Sequence, residues 1–432
     1  MNHKGNKYLQ GLGAAAVSGL LLFSALPLAA ASSELTDKGY QLEHMVVFSR
    51  HNLRTSIVQE DSSAASMINH PLPKWNVTRG YLTQKGGINE TILGQYFHLY
   101  LVDEGFMSDS WQPDEGEVDF YANSFQRTIA TARYFSTGLL PDTNVTIRYT
   151  TEAGGDKVFF KPFVLDTTKL YNWGMEYHNQ NFEAYKGEFD RNYYSFAKAT
   201  DFKNSPYAKM HGIDRVDTAD LSLKMLGDDE NIVSYDGTAR NAYQALDAVI
   251  MNYFEEPDDH KADWGTGLTA QDWKNIGAIG TRGIEMVVGN PAVALRHSHD
   301  ILDIIQDDLE NDRLKFAFLC GHDTNIFTIL TALETEEYTL PGTILTKAPL
   351  GVKIVFEKRR NAQGDLFINP YLAYASDNQL RNSRQLSLRY PPMIYHLSFR
   401  GLTKNDDGLY RYEDIMDHLN KISHKYEEYC LK

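Results

Sequence analysis

The chain has 432 residues, with 42 Lys+Arg against 57 Asp+Glu, and so a formal charge of −15. That balance excludes a general nucleic-acid binder, which needs a basic surface. With 42% hydrophobic and 23% charged residues the chain is globular and not disordered, and its length suits one large domain or two closely joined ones.

The N-terminus reads as an export signal. Lys4 and Lys7 give a basic start, an apolar stretch runs from Gly11 to Ala30, and Ala29-Ala30-Ala31 offers a small-residue cleavage site before Ser32. A signal peptide is therefore expected over 1–31, and with it a periplasmic or secreted protein. A single anchoring helix is the other reading, against which Pro27 and the small residues speak. No later stretch approaches the ~20 apolar residues of a membrane span, so no membrane association is expected after cleavage. Two cysteines, Cys320 and Cys430, make no disulfide scaffold. Cys320 ends an apolar run and reads as a buried thiol.

Met45–Phe48 is a short apolar run ending at Ser49-Arg50 and predicts a buried strand. A polar loop follows to about Asn76. Gly87–Gly105 predicts a helix, Val118–Tyr121 a strand, Ser124–Gly138 a helix and Val145–Tyr149 a further strand. This alternation argues for an α/β domain. From about 155 to 290 aromatic and charged residues dominate, with helices predicted at Ala242–Tyr253 and Asp272–Val288. Pro291–Glu310 is a predicted helix with Pro in its first turn. Leu314–Leu319 then predicts a strand and Ile326–Leu333 a helix. Gly351–Glu357, Leu366–Ala375 and Met393–Phe399 predict strands. The expected fold is α/β, a central mixed sheet flanked by helices, built from 32–155 and 291–432. A mostly helical domain, 156–290, is expected as an insertion.

The strongest local signal is Arg50-His51-Asn52-Leu53-Arg54, directly after the first strand, where α/β sheets present functional loops. Two cations flanking one imidazole repel each other unless an anion lies between them. Arginine grips phosphate oxygens in bidentate fashion, and His51 between them would be a nucleophile kept neutral by its cationic neighbours. A surface turn rich in Arg and His would carry the same residues. Gly321-His322-Asp323-Thr324-Asn325 sits at a second strand-to-helix corner. There His322 would donate to a phosphate and Asp323, when protonated, to a leaving oxygen; the plainer reading is that Asp323 or Thr324 caps the next helix. Arg127 follows a third strand, and alone it would be a surface arginine. Together the three corners supply the parts of one phosphoryl-transfer site. His297-Ser298-His299-Asp300 is a poor metal site, because neighbouring residues of a helix do not share a face. No metal or cofactor is expected.

These motifs resemble the histidine acid phosphatases of the histidine phosphatase superfamily (branch 2), over nearly all of the chain after residue 31. Ser49–Arg54, Leu82–Gly86, Tyr121–Thr128, Gly321–Ile326 and Gln379–Asn382 look most like the bacterial periplasmic glucose-1-phosphatases. Asn52 carries much of that likeness, since the related phytases have glycine there. The resemblance implies His51 as a nucleophile that becomes phosphohistidine and Asp323 as proton donor. It implies Arg50, Arg54, Arg127 and His322 as phosphate ligands. It also implies a phosphate site between the α/β and helical domains. Tyr253-Phe254-Glu255 looks like a run that brings a glutamate to the pocket mouth, so Glu255 is expected to contact a sugar hydroxyl. Glu256, or a merely solvated glutamate pair, is the alternative. The chain departs from the family at Ser56, where proline is usual, which would loosen the loop, and in allowing at most one disulfide.

The expected function is an exported acid phosphomonoesterase acting on sugar phosphates, glucose 1-phosphate foremost, as a monomer or homodimer. A phytase or broad-specificity acid phosphatase is the alternative within enzymes, with a phosphoglycerate-mutase-like transferase a more distant one. A sugar-phosphate binding protein is the alternative outside enzymes.

Overall fold

The computed structural model describes residues 33–152, 156–161, 163–226 and 232–431. The signal-peptide expectation for 1–31 lies outside the described residues, among which no helix is long and apolar enough to cross a membrane.

The first stretch forms α1 (Ser33–Asp37), β1 (Gln41–Arg50), α2 (Ser63–Ser66), α3 (Gln84–Asp103), β2 (Val118–Ala122) and α4 (Gln126–Leu139). The middle stretch forms α5 (Thr168–Thr200), α6 (Pro206–His211), the hairpin of β3 (Ser222–Leu226) and β4 (Ile232–Asp236), α7 (Thr238–Glu255), α8 (Asp259–Ala262) and α9 (Ala270–Val288). The last stretch begins with α10 (Pro291–Glu310), β5 (Phe316–Gly321), α11 (Asp323–Ala332), β6 (Lys353–Arg360) and β7 (Leu366–Tyr374). It ends with α12 (Asp377–Arg381), β8 (Met393–His396), β9 (Tyr410–Arg411) and α13 (Tyr412–Cys430).

The main sheet runs in the order β2-β5-β1-β6-β7-β8, with β9 pairing β7. β5 lies parallel to both β1 and β2, whereas β6 pairs β1 antiparallel, so the sheet is mixed. Alternate residues of β1 serve opposite faces, as the period of a strand requires. Val46 and Phe48 pack with Ile301, Ile305, Ile326 and Leu419 of α10, α11 and α13. Met45 and Val47 pack with Leu93, Phe97, Phe135 and Leu139 of α3 and α4. Burial on both faces is why this strand reads as a continuous apolar run and not an alternating one. The helices α3 and α4 touch through glycines. A Cβ on Gly94 would lie 2.3 Å from the Phe135 carbonyl, and one on Gly138 would lie 2.3 Å from that of Thr91.

Val145–Tyr149 is not a strand. Its contact with the sheet is a single parallel bridge from Arg148 to Tyr121. Arg148 is held to Asp119 by two hydrogen bonds of 2.9 and 2.6 Å, which pins one residue beside the edge strand β2 and leaves the rest as loop. The 33-residue α5 and the C-terminal α13 were not anticipated from the sequence. Cys320 and Cys430 are both buried free thiols.

Candidate active site

The parallel strands β1, β5 and β2 end side by side. Arg50 is in register with Gly321, and Ala122 with Cys320. Backbone hydrogen bonds carry the register one residue further: His51 N–H donates to the Gly321 carbonyl and Asn123 N–H to that of Cys320, each at 2.9 Å. The three loops flagged in the sequence therefore leave the sheet at one edge, and His51, Arg50, Arg54, Arg127, His322 and Asp323 gather there.

His51 is 2% exposed. Its Nδ1 lies 2.8 Å from the Asn52 carbonyl, which accepts only, so Nδ1 carries the proton and Nε2 keeps its lone pair. Burial, then Arg127, His322, Arg50 and Arg54, hold the imidazole well below its ordinary 6.5. It stays neutral in acid, where an ordinary histidine would be a cation without a free lone pair. His322 stands edge-on to it, with ring centroids 5.4 Å apart. Its Nδ1 faces Arg127 Nη2 at 3.4 Å and its Nε2 faces Asn123 Oδ1 at 3.3 Å. Burial and then Arg127 push it down to about 3, so it too is neutral.

Two of the arginines already hold carboxylates. Arg50 Nη2 lies 2.8 Å from Asp323 Oδ2, and its Nη1 donates to the Ala348 carbonyl. Burial acts to raise the Asp323 carboxyl, but Arg50, Arg54 and His322 together pull it below the ordinary carboxylate range. Arg54 grips Asp247 of α7 through both Nη atoms, at 3.2 and 2.6 Å. Arg50 Nε, Arg127 Nε and Asn123 Nδ2 are buried donors without a partner among the described residues, which is costly unless an anion fills the site. Beside this cluster lies a cavity of about 500 Å³ lined by Arg50, Arg54, Tyr243, Asp247, Asp323 and Phe327, among others.

Asp247 is the residue that sequence reasoning missed. Besides Arg54, it accepts from Ser56 Oγ at 2.8 Å and from Ile57 N–H at 2.7 Å. The loop where proline was expected is thus tied to α7 by hydrogen bonds. The signal was a lone carboxylate inside the apolar run Ala245–Ile250, a placement that needs a partner. Replacing Asp247 by alanine leaves Arg54 buried without its countercharge. We expect a loss of roughly 3 kcal/mol, partly regained when phosphate takes the carboxylate's place. Inorganic phosphate should then raise the Tm of D247A more than that of the parent. An equal shift would mean that Arg54 does not face the anion site.

Among the described residues Glu255 has no hydrogen bond or ion pair with a member of this cluster. It sits two turns further along α7, where burial raises its carboxyl against the neighbouring Lys85. Lys85 Nζ donates to the Glu255 carbonyl at 2.6 Å. Tyr253 of the same run packs on Trp273 of α9 and donates to Asp377 of α12, so that run ties α7 to both helices. Asn52 faces inward too. Its Nδ2 donates to Glu90 at 2.8 Å, and Glu90 pairs with Lys353 at 2.6 Å, both side chains being fully buried. A Cβ on Gly351 would lie 2.5 Å from Asn52 Nδ2, so this backbone, at φ +68°, must pass without a side chain. His297 lies inside α10 against Phe163 and Thr328. Among the described residues no group of His, Cys, Asp and Glu is arranged to hold a metal ion.

A parallel-strand edge presenting a neutral histidine among arginines, with a carboxyl beside it, has the parts that phosphoryl transfer needs. Residues 35–199 match the model of the histidine phosphatase superfamily (branch 2). The chain is 29% identical to the glucose-1-phosphatase of Salmonella typhimurium over 415 residues, covering 94% of this chain and 98% of that one. It is 29% identical to the glucose-1-phosphatase of Providencia rettgeri, covering 87% and 90%. It is 24% identical to a phytase of Escherichia coli, covering 85% and 89%. Among solved structures, the phytase from Citrobacter braakii shares its fold, with a TM-score of 0.79 at 22% identity over 90% of this chain and 98% of that one. The chain is thus similar to the histidine phosphatase superfamily, branch 2, over residues 35–199 and to curated glucose-1-phosphatases over most of its length, and it is a phosphoric monoester hydrolase.

Proposed function

We propose that the protein is an exported acid phosphatase that hydrolyses sugar phosphates, glucose 1-phosphate foremost, through a phosphohistidine on His51. The observation that carries this reading is the His51 ring itself: Nδ1 is committed to the Asn52 carbonyl, so Nε2 is the nitrogen free to attack. In the first step Nε2 bonds to phosphorus, the bond from phosphorus to the alcohol oxygen breaks, and Asp323 gives that oxygen its proton. In the second, water attacks phosphorus, its proton passes to the Asp323 carboxylate, and the bond to Nε2 breaks. Arg50, Arg54 and Arg127 offset the charge of the phosphoryl oxygens, which elsewhere falls to a metal ion, and the neutral His322 stands beside them as a hydrogen-bonding group.

The depressed Asp323 carboxyl fits this scheme once substrate is considered. A phosphate dianion among the same arginines cancels the field that keeps Asp323 ionised, so the bound complex takes up a proton. Turnover should therefore be sustained in acid, where His51 remains neutral, and fall as pH rises past the second phosphate ionisation near ~6. The variant D323N should lose roughly 10²- to 10⁴-fold in kcat on a sugar phosphate. It should lose far less on p-nitrophenyl phosphate, whose leaving group needs no proton. Equal losses on the two esters, or full activity of D323N above neutral pH, would remove Asp323 from the donor role.

The preference for a sugar monophosphate over phytate is supported by charge. The charged side chains lining the cavity beside the site are Arg50 and Arg54, each already paired, with Asp247 and Asp323. Further phosphates on the alcohol would meet carboxylates there. Location outside the cytoplasm is supported by the basic start and apolar stretch of residues 1–31. Phosphate release near pH 5 from glucose 1-phosphate and from phytate, side by side with EDTA present, tests the proposal. Fast release from glucose 1-phosphate alone is expected. Faster release from phytate would overturn the specificity, and release from neither would favour a binding protein.

A further inference from the structure

The rim of the anion site is apolar in a way that packing does not explain. Phe125 occupies the N-cap of α4 and makes no cap hydrogen bond, at a position where Ser, Thr, Asp or Asn is worth about 1 kcal/mol. Its ring is instead left 42% exposed. It stands edge-on to His322 with centroids 5.4 Å apart, and the Arg127 guanidinium sits 4.5 Å from its centre. Phe160, 52% exposed, lies 6.0 Å from Phe125 and 6.2 Å from His322. Ile57, also 52% exposed, completes the group. A Cβ built on Gly80 would lie 3.5 Å from Ile57 and 3.9 Å from Arg127 Nη1, so Ile57 and that guanidinium both border Gly80.

Three large apolar side chains, each about half exposed, thus stand around the cations and one ring removed from His51. A local rule broken at a site, with a capping residue given up for an exposed aromatic ring, points to use and not to stability. Exposed rings beside a polar anchor are the usual lining of a small-molecule pocket.

We propose that Phe125 and Phe160, with Ile57, form the subsite for the alcohol half of the substrate, selecting monoesters whose alcohol is a ring with an apolar face, either the C–H face of a hexose or an aryl group. This rests on the phosphatase reading and adds the class of leaving group. Acyclic polyols present no such face, and an inositol bearing several phosphates would set anions against the rings.

The test compares kcat/KM for glucose 1-phosphate, p-nitrophenyl phosphate and glycerol 2-phosphate in the parent and in F160A, F125A and F160Y. The ratio of either ring ester to glycerol 2-phosphate should fall about tenfold in F160A, carried mainly by KM. F160Y, which keeps the ring, should restore it. F125A should lower the ratio and also weaken inhibition by inorganic phosphate, because Phe125 touches Arg127; F160A should lower the ratio alone. A ratio unchanged in F160A and F125A would overturn the proposal and place the alcohol wholly in the cavity beside Asp323. A fall for the aryl ester alone would overturn the hexose half of it. Absence of hydrolysis of all three esters by the parent would instead defeat the phosphatase reading beneath it.

Discussion

Replacing His51 by alanine is expected to lower turnover by at least ~10³-fold while leaving the fold in place. The magnitude follows from the absence of a substitute at the site. His322 has both ring nitrogens engaged, by Arg127 and Asn123. Asp323 is held by Arg50. Water attacking directly would still have the arginines, but it would lack the covalent route that divides one difficult displacement into two easier ones. The fold should survive because the loop is fixed by its backbone. His51 N–H on Gly321 and Asn52 N–H on Thr131 Oγ1, at 2.9 and 3.1 Å, do not involve the imidazole. Steady-state rates on glucose 1-phosphate, with matched thermal unfolding, check this. Turnover within tenfold of the parent would remove His51 as nucleophile.

The second large effect is expected beneath the site. Lys353 Nζ bonds Glu90 at 2.6 Å, Ser49 Oγ at 3.0 Å and the Gly351 carbonyl at 2.9 Å. In E90A the ammonium keeps two neutral acceptors and loses its countercharge, and Asn52 loses the acceptor of its side-chain amide. Breaking a buried pair in this way costs about 3–5 kcal/mol. Activity should fall as well, since the Asn52 carbonyl sets the tautomer of His51. The pair E90L with K353M removes both charges together, and replacing a buried ion pair by apolar groups is often nearly neutral. Stability should therefore return in the double variant, while activity recovers less, because Asn52 still lacks its acceptor. Denaturant unfolding of the three proteins reads the first effect and kcat/KM the second. A cost below ~1 kcal/mol in E90A would mean that the pair does not hold this corner together.

Much of this site was legible in the chain because its parts are local. Arg50, His51 and Arg54 share one turn after a strand, and His322 and Asp323 share another. Both turns follow apolar runs whose burial on two faces marks them as central strands. What could not be read was which side chains meet across the fold. Asn52 stood out as a mark of specificity, yet its amide is spent on Glu90, thirty-eight residues away. Its side chain therefore bears on the site through the loop and not by facing a substrate. Glu255 and Asp247 lie on one helix, and only the register of α7 against the sheet decides which reaches Arg54. Tyr253-Phe254-Glu255 carried a family likeness, but its tyrosine belongs to the packing around Trp273. The helix α5 escaped because its buried positions, Phe189, Tyr193 and Phe196, are scattered among charged and polar residues. Val145–Tyr149 had the composition of a strand and found a partner at one position only, because β2 is the edge of the sheet.

The mechanism turns on a covalent bond between phosphorus and His51. It is tested most directly by quenching turnover of p-nitrophenyl phosphate in alkali, where phosphohistidine survives, and mapping the phosphoryl group by peptide mass. One phosphoryl group is expected, on the peptide carrying His51 and on no other, present during turnover and gone once substrate is exhausted. Phosphate on a different residue, or sustained turnover with none on the protein, would contradict it.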